Sequence, residues 1–516
     1  MNTNNAIIGL AAMSCVLPEM SEAQAGHKEK MNVLFIAVDD MNDWVGCLGG
    51  NPQVKTPNID RLAMNNALIM MNAQCPSTLS CPSRSAFLTG LRPSTTGVYQ
   101  NTQNLRDSKA AMAVPSLPQY FSQNGYFSLS TGKIFHKHQY NGELDAGQWA
   151  FDLWQRETGG FPIDKAKVPM SGMDVTGTVG TLMDWGPTTV GKEKTQDWIS
   201  AQWIVQKLRE DYDKPFFMML GIAKPHLTWY VPQEYFDRYS LDSIIIPQVR
   251  EDDLDDIMTP DGKKKFQASE DYKIIKRYSK LKEAARAYMA CISYADDCVG
   301  LVLDALENSK YKDNTIVVLL GDHGWFLGEK LRYRKTMLWE ESVRSPLIIK
   351  VPGMTRTGKC TRIVNFMDLY PTLADLCDMQ IPGHCEGRSL VPLLKDPDTK
   401  WYPSLTTMGY KNHSVRSEQY RYNVYEDGTE ELYDHLADPM EWKNLIKDPE
   451  YKKIIKELRA YLPENDAKPS PGTGDQPGMA YNKNRTGNVR TIPAGIDINE
   501  EDLEYSVTIN NYHNYK

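Results

Sequence analysis

An α/β fold is what the sequence predicts: a large, mostly parallel sheet sandwiched by helices, followed by a smaller carboxyl-terminal unit of antiparallel sheet plus helix. Three observations predict it. Four short apolar runs show no polar–apolar alternation, which is how strands buried on both faces of a parallel sheet read. Helical patterns with apolar residues three and four apart lie between them, and strands alternating with helices build α/β layers. Past residue 400 the texture changes to hairpin-like segments and a loop-rich tail.

Taken in order, residues 1–25 read as a secretory leader. An apolar run at 6–18 (AIIGLAAMSCVLP) precedes Ala23-Gln24-Ala25, a small-x-small cleavage site, although the first five residues carry no Lys or Arg. Cys15 sits in a poor lipoprotein box, so a lipid-anchored surface form is the minor alternative, and a helix of the mature fold is the competing structural one. The first strand, 33–38 (VLFIAV), ends in Asp39-Asp40, and the second, 215–221 (PFFMMLG), leads to Lys224-Pro225-His226. The third, 315–320 (TIVVLL), ends in Gly321-Asp322-His323, and the fourth, 346–351 (PLIIKV), precedes Pro352-Gly353. A helix fills 283–309, with Cys291 and Cys298 as core residues. Polar groups that collect just after strand ends fit ligand binding at the carboxyl edge of an open sheet. Residues 414–425 and 431–433, joined through Asp427-Gly428, predict an antiparallel hairpin; 452–462 predicts a helix, and 463–494 a loop or wrapped arm. The expected division is therefore a leader at 1–25, the main α/β domain at 31–400, and the carboxyl-terminal unit with its irregular tail at 401–516.

Composition narrows the function classes. A chain of 516 residues is long enough for two or more domains. Its 58 Lys+Arg against 66 Asp+Glu, a net charge of -8, argue against a polybasic nucleic-acid surface. The same charge does not argue against one small anion held in a cationic hole, because the local field decides that. Past Ala25 no apolar stretch is long enough to span a bilayer. Nine cysteines without a C-x-x-C pair support neither a zinc ribbon nor a thioredoxin-type site, and their scattered spacing does not read as a disulfide framework.

Asp39-Asp40 and Asp322-His323 each close a strand. Either pair alone is as readily a turn or a helix cap, but adjacent strand ends can converge carboxylates that would repel one another without a cation. Such a mainly oxygen set suits calcium or magnesium better than zinc, and the one nitrogen ligand leaves the ion partly open. Lys133 and His136 in Gly132-Lys133-Ile134-Phe135-His136, and Lys224 and His226, form two Lys/His pairs, whose histidines taken singly are as readily ordinary polar residues. Residues 330–335 (KLRYRK) read as a solvated basic loop, a reading that fits Arg332 and Arg334.

The most specific segment is Ser80-Cys81-Pro82-Ser83-Arg84-Ser85-Ala86-Phe87-Leu88-Thr89-Gly90. Read bare, it offers either an N-cap serine with a structural arginine or a serine at a helix start suited to an oxyanion. The whole run resembles the signature of type I sulfatases, Cys/Ser-x-Pro-Ser-Arg-x-x-x-Leu-Thr-Gly. Aligning Pro82, Ser83, Arg84 and Thr89-Gly90 puts the family's modified position on Ser80 and leaves Cys81 on the variable one. The resemblance covers residues 31 to about 445, including Asp368-Leu369-Tyr370-Pro371-Thr372-Leu373, Gly387-Arg388-Ser389-Leu390 and Glu431-Leu432-Tyr433-Asp434. Residues 155–200 and the tail match nothing.

The resemblance implies an alkaline-phosphatase-like fold and a serine-type sulfatase, similar to the bacterial relatives of iduronate-2-sulfatase in its Gly-Lys-x-Phe-His and Lys-Pro-His segments and in His323. It implies formylglycine made from Ser80 by a radical-SAM maturing enzyme, and Ca2+ (Mg2+ the alternative) on Asp39, Asp40, Asp322, His323 and the matured residue 80. Arg84, Lys133 and Lys335 would hold the sulfate, with Lys224 also a substrate contact. His226, with Lys335, would protonate the leaving oxygen, and His136 would take the proton that expels sulfate. The implied substrate is a sulfated saccharide, and the compartment is periplasmic or extracellular. Trp154, Trp185, Trp229 and Trp339 are candidates for sugar stacking, set against the commoner fate of burial. A phosphonate or phosphate monoester hydrolase and a non-catalytic glycan-binding relative are the competing functions.

Overall fold

The computed structural model describes Met1, residues 30–136, 147–175 and 182–471, and the short strands Gln139–Tyr140 and Glu143–Leu144. The expected leader and the tail beyond 471 lie outside the described residues.

The main sheet has eight strands: β1 (Asn32–Val38), β2 (Ala67–Gln74), β3 (Phe127–Gly132), β4 (Leu153–Gln155), β5 (Phe216–Ile222), β6 (Thr315–Gly321), β7 (Leu347–Lys350) and β8 (Gly358–Asn365). Their order is β8-β2-β7-β6-β1-β5-β3-β4. Only β7 runs against its neighbours; every other pairing in this sheet is parallel. The four strands expected from apolar runs are the contiguous centre β7-β6-β1-β5, and every residue of β1, β5 and β6 is buried. The unanticipated β2, β3, β4 and β8 carry Ser, Thr, Asn or Gln, which breaks the apolar run that marks a doubly covered strand.

Alternation along β1 divides the core into two layers. Leu34, Ile36 and Val38 pack with α1 (Pro57–Met64), α3 (Gln196–Lys207) and α4 (Leu281–Glu307). Val33, Phe35 and Ala37 pack with α2 (Ser80–Thr89) and α5 (Leu369–Leu376) on the opposite face. Period-two side chains on a strand between helix layers require both faces to be apolar, which is why no polar residue interrupts positions 33–38. Cys291 and Cys298 lie fully buried in α4, and all eight cysteines of the described residues are free thiols. No helix of the described residues is long and apolar enough to cross a membrane.

The smaller sheet is antiparallel and four-stranded: β9 (Ser404–Thr407), β10 (His413–Arg416), β11 (Tyr420–Val424) and β12 (Glu430–Asp434), in that order. The stretch 414–425, expected as one arm of a hairpin, is two strands. Ser417 breaks it, its amide donating to the Tyr420 carbonyl at 2.8 Å and its hydroxyl accepting from the Tyr420 amide at 2.9 Å. The Asp427-Gly428 turn joins β11 to β12 as expected, with Gly428 at φ +82°. Helix α6 (Lys452–Arg459) covers this sheet through Leu458, against Val415, Tyr422 and Leu432. The last described segment wraps onto the main domain: the amides of Ala467 and Ser470 donate to the carbonyls of Ser94 and Gly97, at 2.7 and 2.8 Å.

Candidate active site

The carboxyl ends of β1, β6, β3 and β5 lie side by side, and the expected residues follow them. Successive strand residues point to opposite faces, so Asp39 and Asp40 would diverge if the strand continued. Instead Asp40 turns into the left-handed region at φ +58°, a conformation Asp tolerates. Its amide donates to Asp322 Oδ1 at 3.0 Å, and its carbonyl accepts from the Tyr288 hydroxyl at 2.6 Å. One ligand atom from each of Asp39, Asp40, Asp322 and His323 then lies within 4.8 Å of the others, with all four side chains buried.

Helix α2 enters this group at its first residue. Leu79, not Ser80, is the N-cap, so the capping role open to Ser80 is not realised. The Ser80 hydroxyl donates to Asp39 Oδ1 at 3.1 Å and lies 3.0 Å from His323 Nε2. Cys81 points elsewhere, its thiol donating to the Gln103 carbonyl at 3.2 Å and its amide to Asn101 Oδ1 at 2.9 Å. Arg84, one turn on, reaches Asp322 Oδ2 at 2.8 Å and Asp39 Oδ1 at 3.2 Å. Lys133 pairs with Asp39 Oδ2, and Lys335 with Asp40 Oδ1 at 2.6 Å. His226 holds Nδ1 at 2.6 Å from the Leu227 carbonyl and Nε2 at 3.9 Å from Asp40 Oδ2. His136 joins Arg84, Cys81, Asn104, Phe135 and Trp149 around an adjoining recess.

The electrostatics follow from three carboxylates gathered out of water. Burial would raise Asp39, but Lys133, Arg84 and His226 overcome it and hold its carboxyl well below the usual range. Asp40 has less help: burial outweighs Lys335, and its carboxyl is pushed up to about 7. Burial also drives His323 down to about 4, so its imidazole is neutral, the form that ligates a metal. Lys335 is held above its ordinary value, because Asp40, Asp39 and Asp322 overcome burial. Asp40 Oδ2 is buried with no hydrogen-bond partner among the described residues. Three hard oxygens, one neutral nitrogen and an orphaned carboxylate oxygen fit a divalent cation.

The structure corrects one sequence expectation, the solvated basic stretch, and places the other candidates. The Lys224 ammonium, expected at the substrate, is engaged by the backbone carbonyls of His226 and Thr228 at 3.0 and 2.5 Å and by the Phe161 ring. The basic stretch 330–335 is not solvated: Lys330 and Arg332 are buried, Lys330 pairs with Asp253 at 2.7 Å, and Arg334 pairs with Asp271 at 2.6 Å. Trp185, Trp229 and Trp339 are core residues, which leaves only partly buried Trp154 of the four stacking candidates. Residues that no motif announced also build the site. Tyr288 braces the Asp40 turn, and Asp197 at the start of α3 accepts the amides of Ala223 and Lys224, both at 2.9 Å.

Comparison with known proteins identifies the family. Residues 31–379 match the family described as Sulfatase, and 321–468 match N-sulphoglucosamine sulphohydrolase, C-terminal. A sulfatase of Formosa agariphila is 38% identical over 475 residues, covering 89% of this chain and 92% of its own. Mouse iduronate 2-sulfatase is 27% identical, over 86% of this chain and 96% of its own. A solved structure described in complex with its substrate D-glucosamine-2-N,6-O-disulfate shares the fold, with a TM-score of 0.64 at 23% identity, over 84% of this chain and 96% of that one. The phosphonate monoester hydrolase of Agrobacterium radiobacter shares it too, with a TM-score of 0.66 at 20% identity, over 84% of this chain and 96% of that one. The chain belongs to the sulfatase family and is a sulfuric ester hydrolase.

Proposed function

We propose that the protein removes O-sulfate groups from a saccharide, a glycosaminoglycan or other sulfated polysaccharide fragment, using formylglycine made from Ser80. The observation that carries the reading is the seat of Ser80, its hydroxyl between Asp39 Oδ1 and His323 Nε2 with Arg84 one turn away. Relatives described as iduronate 2-sulfatase and ulvan-active sulfatase support a carbohydrate substrate.

Asp39, Asp40, Asp322, His323 and the matured residue 80 would hold Ca2+, or Mg2+, which supplies positive charge for the sulfate oxygens. The remaining roles belong to the chain. Arg84, Lys133 and Lys335 hold the sulfate and stabilise charge on it as the ester bond breaks. His226, supported by Lys335, donates a proton to the leaving sugar oxygen. His136 accepts the proton whose loss frees the sulfate from residue 80. Lys224 acts from behind, fixing the 224–228 loop that presents His226. The catalytic domain is 31–400, with 401–516 as its carboxyl-terminal unit. A radical-SAM maturing enzyme is the transient partner, and the compartment is periplasmic or extracellular, a lipid-anchored form being the minor alternative.

Mass spectrometry of host-matured protein tests the nucleophile: an aldehyde at residue 80 is expected, and fully active protein with intact Ser80 overturns the mechanism. Parallel turnover of aryl sulfate and aryl phosphate tests the reaction, and dominant phosphate hydrolysis would sink the sulfatase chemistry. Defined sulfated saccharides then assign the sugar; binding without turnover by matured protein would mark a glycan-binding relative.

A further inference from the structure

We propose that Trp325 is a positioning residue for Lys335, its indole ring seating the ammonium that is to hold the sulfate; this rests on the reading of Lys335 as a sulfate contact. Trp325 follows His323 by two residues. The Lys335 ammonium lies over its ring, 5.5 Å from the centroid, and pairs with Asp40 Oδ1 at 2.6 Å. An ammonium within about 6 Å of an indole face is attracted by the ring quadrupole, and more strongly where water is excluded. Trp325 is 1% exposed and the Lys335 side chain 10%, so little water screens the pair.

The contacts close into a circuit. Trp325 stacks on Tyr288, with centroids 6.4 Å apart and planes 13° from parallel. The Tyr288 hydroxyl donates to the Asp40 carbonyl, the Asp40 carboxylate accepts from Lys335, and Lys335 returns to the Trp325 ring. Asn42 Nδ2 donates to the Trp325 carbonyl at 3.2 Å, which ties the Asp40 turn to the same residue through its backbone. Trp325 Nε1 is buried with no hydrogen-bond partner among the described residues, so the ring acts here through its faces. Lys335 itself lies between Arg334 and Thr336, at φ +71° and +72°. Left-handed backbone is costly for both, for β-branched Thr above all, and persists where the surroundings hold it.

A ring suits this task better than a second carboxylate. An ammonium has three N–H donors, and Asp40 takes one. The ring attracts the cation as a whole and brings no negative charge toward the sulfate. Lys335 can therefore donate to a sulfate oxygen while Trp325 keeps it seated.

The test uses full-length protein matured at residue 80, as wild type, W325L, K335M and the W325L/K335M double variant. Inorganic sulfate is the probe: its Ki is measured against an aryl sulfate, with kcat, KM and Tm recorded for each variant. W325L should raise Ki about fivefold and lower kcat/KM by a similar factor. In the K335M background the same substitution should change Ki by less than about twofold, because no ammonium needs seating. Fluorinated tryptophans placed at 325 keep the ring's shape and drain electron density from its face, so Ki should rise stepwise with the number of fluorines. That series stands in for W325L if the variant fails to fold. An equal loss in both backgrounds, a Ki indifferent to fluorination, or an unchanged Ki in W325L at wild-type Tm would each overturn the proposal. K335M with wild-type Ki and kcat/KM would instead overturn the reading of Lys335 beneath it.

Discussion

Ser83 donates its hydroxyl to the backbone carbonyl of Asp322 at 2.6 Å. The bond fastens α2 to the end of β6, so the helix that carries Ser80 and Arg84 and the strand that carries Asp322 and His323 form one rigid piece. Both groups are buried, and a lost buried hydrogen bond leaves an orphaned carbonyl.

Ser83→Ala should therefore lower stability by about 1–2 kcal/mol, a typical cost for an unsatisfied buried partner. Because the bond sets relative position, kcat should fall while KM changes little. Denaturant unfolding together with steady-state kinetics checks both parts.

Divalent cations should stabilise the fold directly. Three buried carboxylates, with Asp40 only half charged near neutrality, gain a counter-ion when one binds. Calcium at a hundredfold excess over its Kd should add about 2.7 kcal/mol, and chelation should remove it. Thermal unfolding with and without a chelator reads this without any assay of activity.

Gly221→Ala should displace Lys133. A Cβ at Gly221 would lie 2.1 Å from the Lys133 carbonyl carbon, too close for backbone to tolerate. The end of β3 must then move from β5, and activity should fall by more than tenfold while the apolar core is retained, a misplacement of about 1 Å being enough. Circular dichroism and kinetics on the same preparation separate the two effects.

Glu340 should set the acid limit of stability. Burial alone would raise it, but Arg421, then Arg416, His435 and Arg344, hold its carboxyl well below the ordinary 4.5. A carboxyl depressed on folding contributes stability above the unfolded value, and loses it as pH falls through 4.5 toward the folded one. Glu340→Gln leaves buried Arg421 underpaired, so stability at pH 7 should fall by about 3 kcal/mol and the decline below that limit should flatten. Urea midpoints measured across that pH range decide it.

The sequence displays what doubly buried strands require and hides what marginal strands allow. Residues 33–38 and 316–320 read clearly because they are apolar throughout, as a strand between two helix layers favours. Ala67–Gln74 and Gly358–Asn365 were illegible because their strands tolerate Asn, Gln, Thr and Lys. In the site, Asp39-Asp40 and Asp322-His323 stand out because each follows a legible strand. Tyr288 and Asp197 do not, because each lies on a helix and meets the backbone it braces only in the folded chain. The burial of Lys330 and Arg332 was equally hidden: a basic run looks solvated until Asp253 and the Trp339 ring come to meet it.

The complete burial of Ser80 also orders events in the life of the chain. The maturing enzyme proposed for Ser80 would therefore have to act before α2 is seated. The segment that wraps the loop at 94–103 comes almost four hundred residues later. At about 5–20 residues per second, synthesis alone leaves a window on the order of tens of seconds before that wrap can form. The late wrap would thus leave time for the maturation proposed at residue 80.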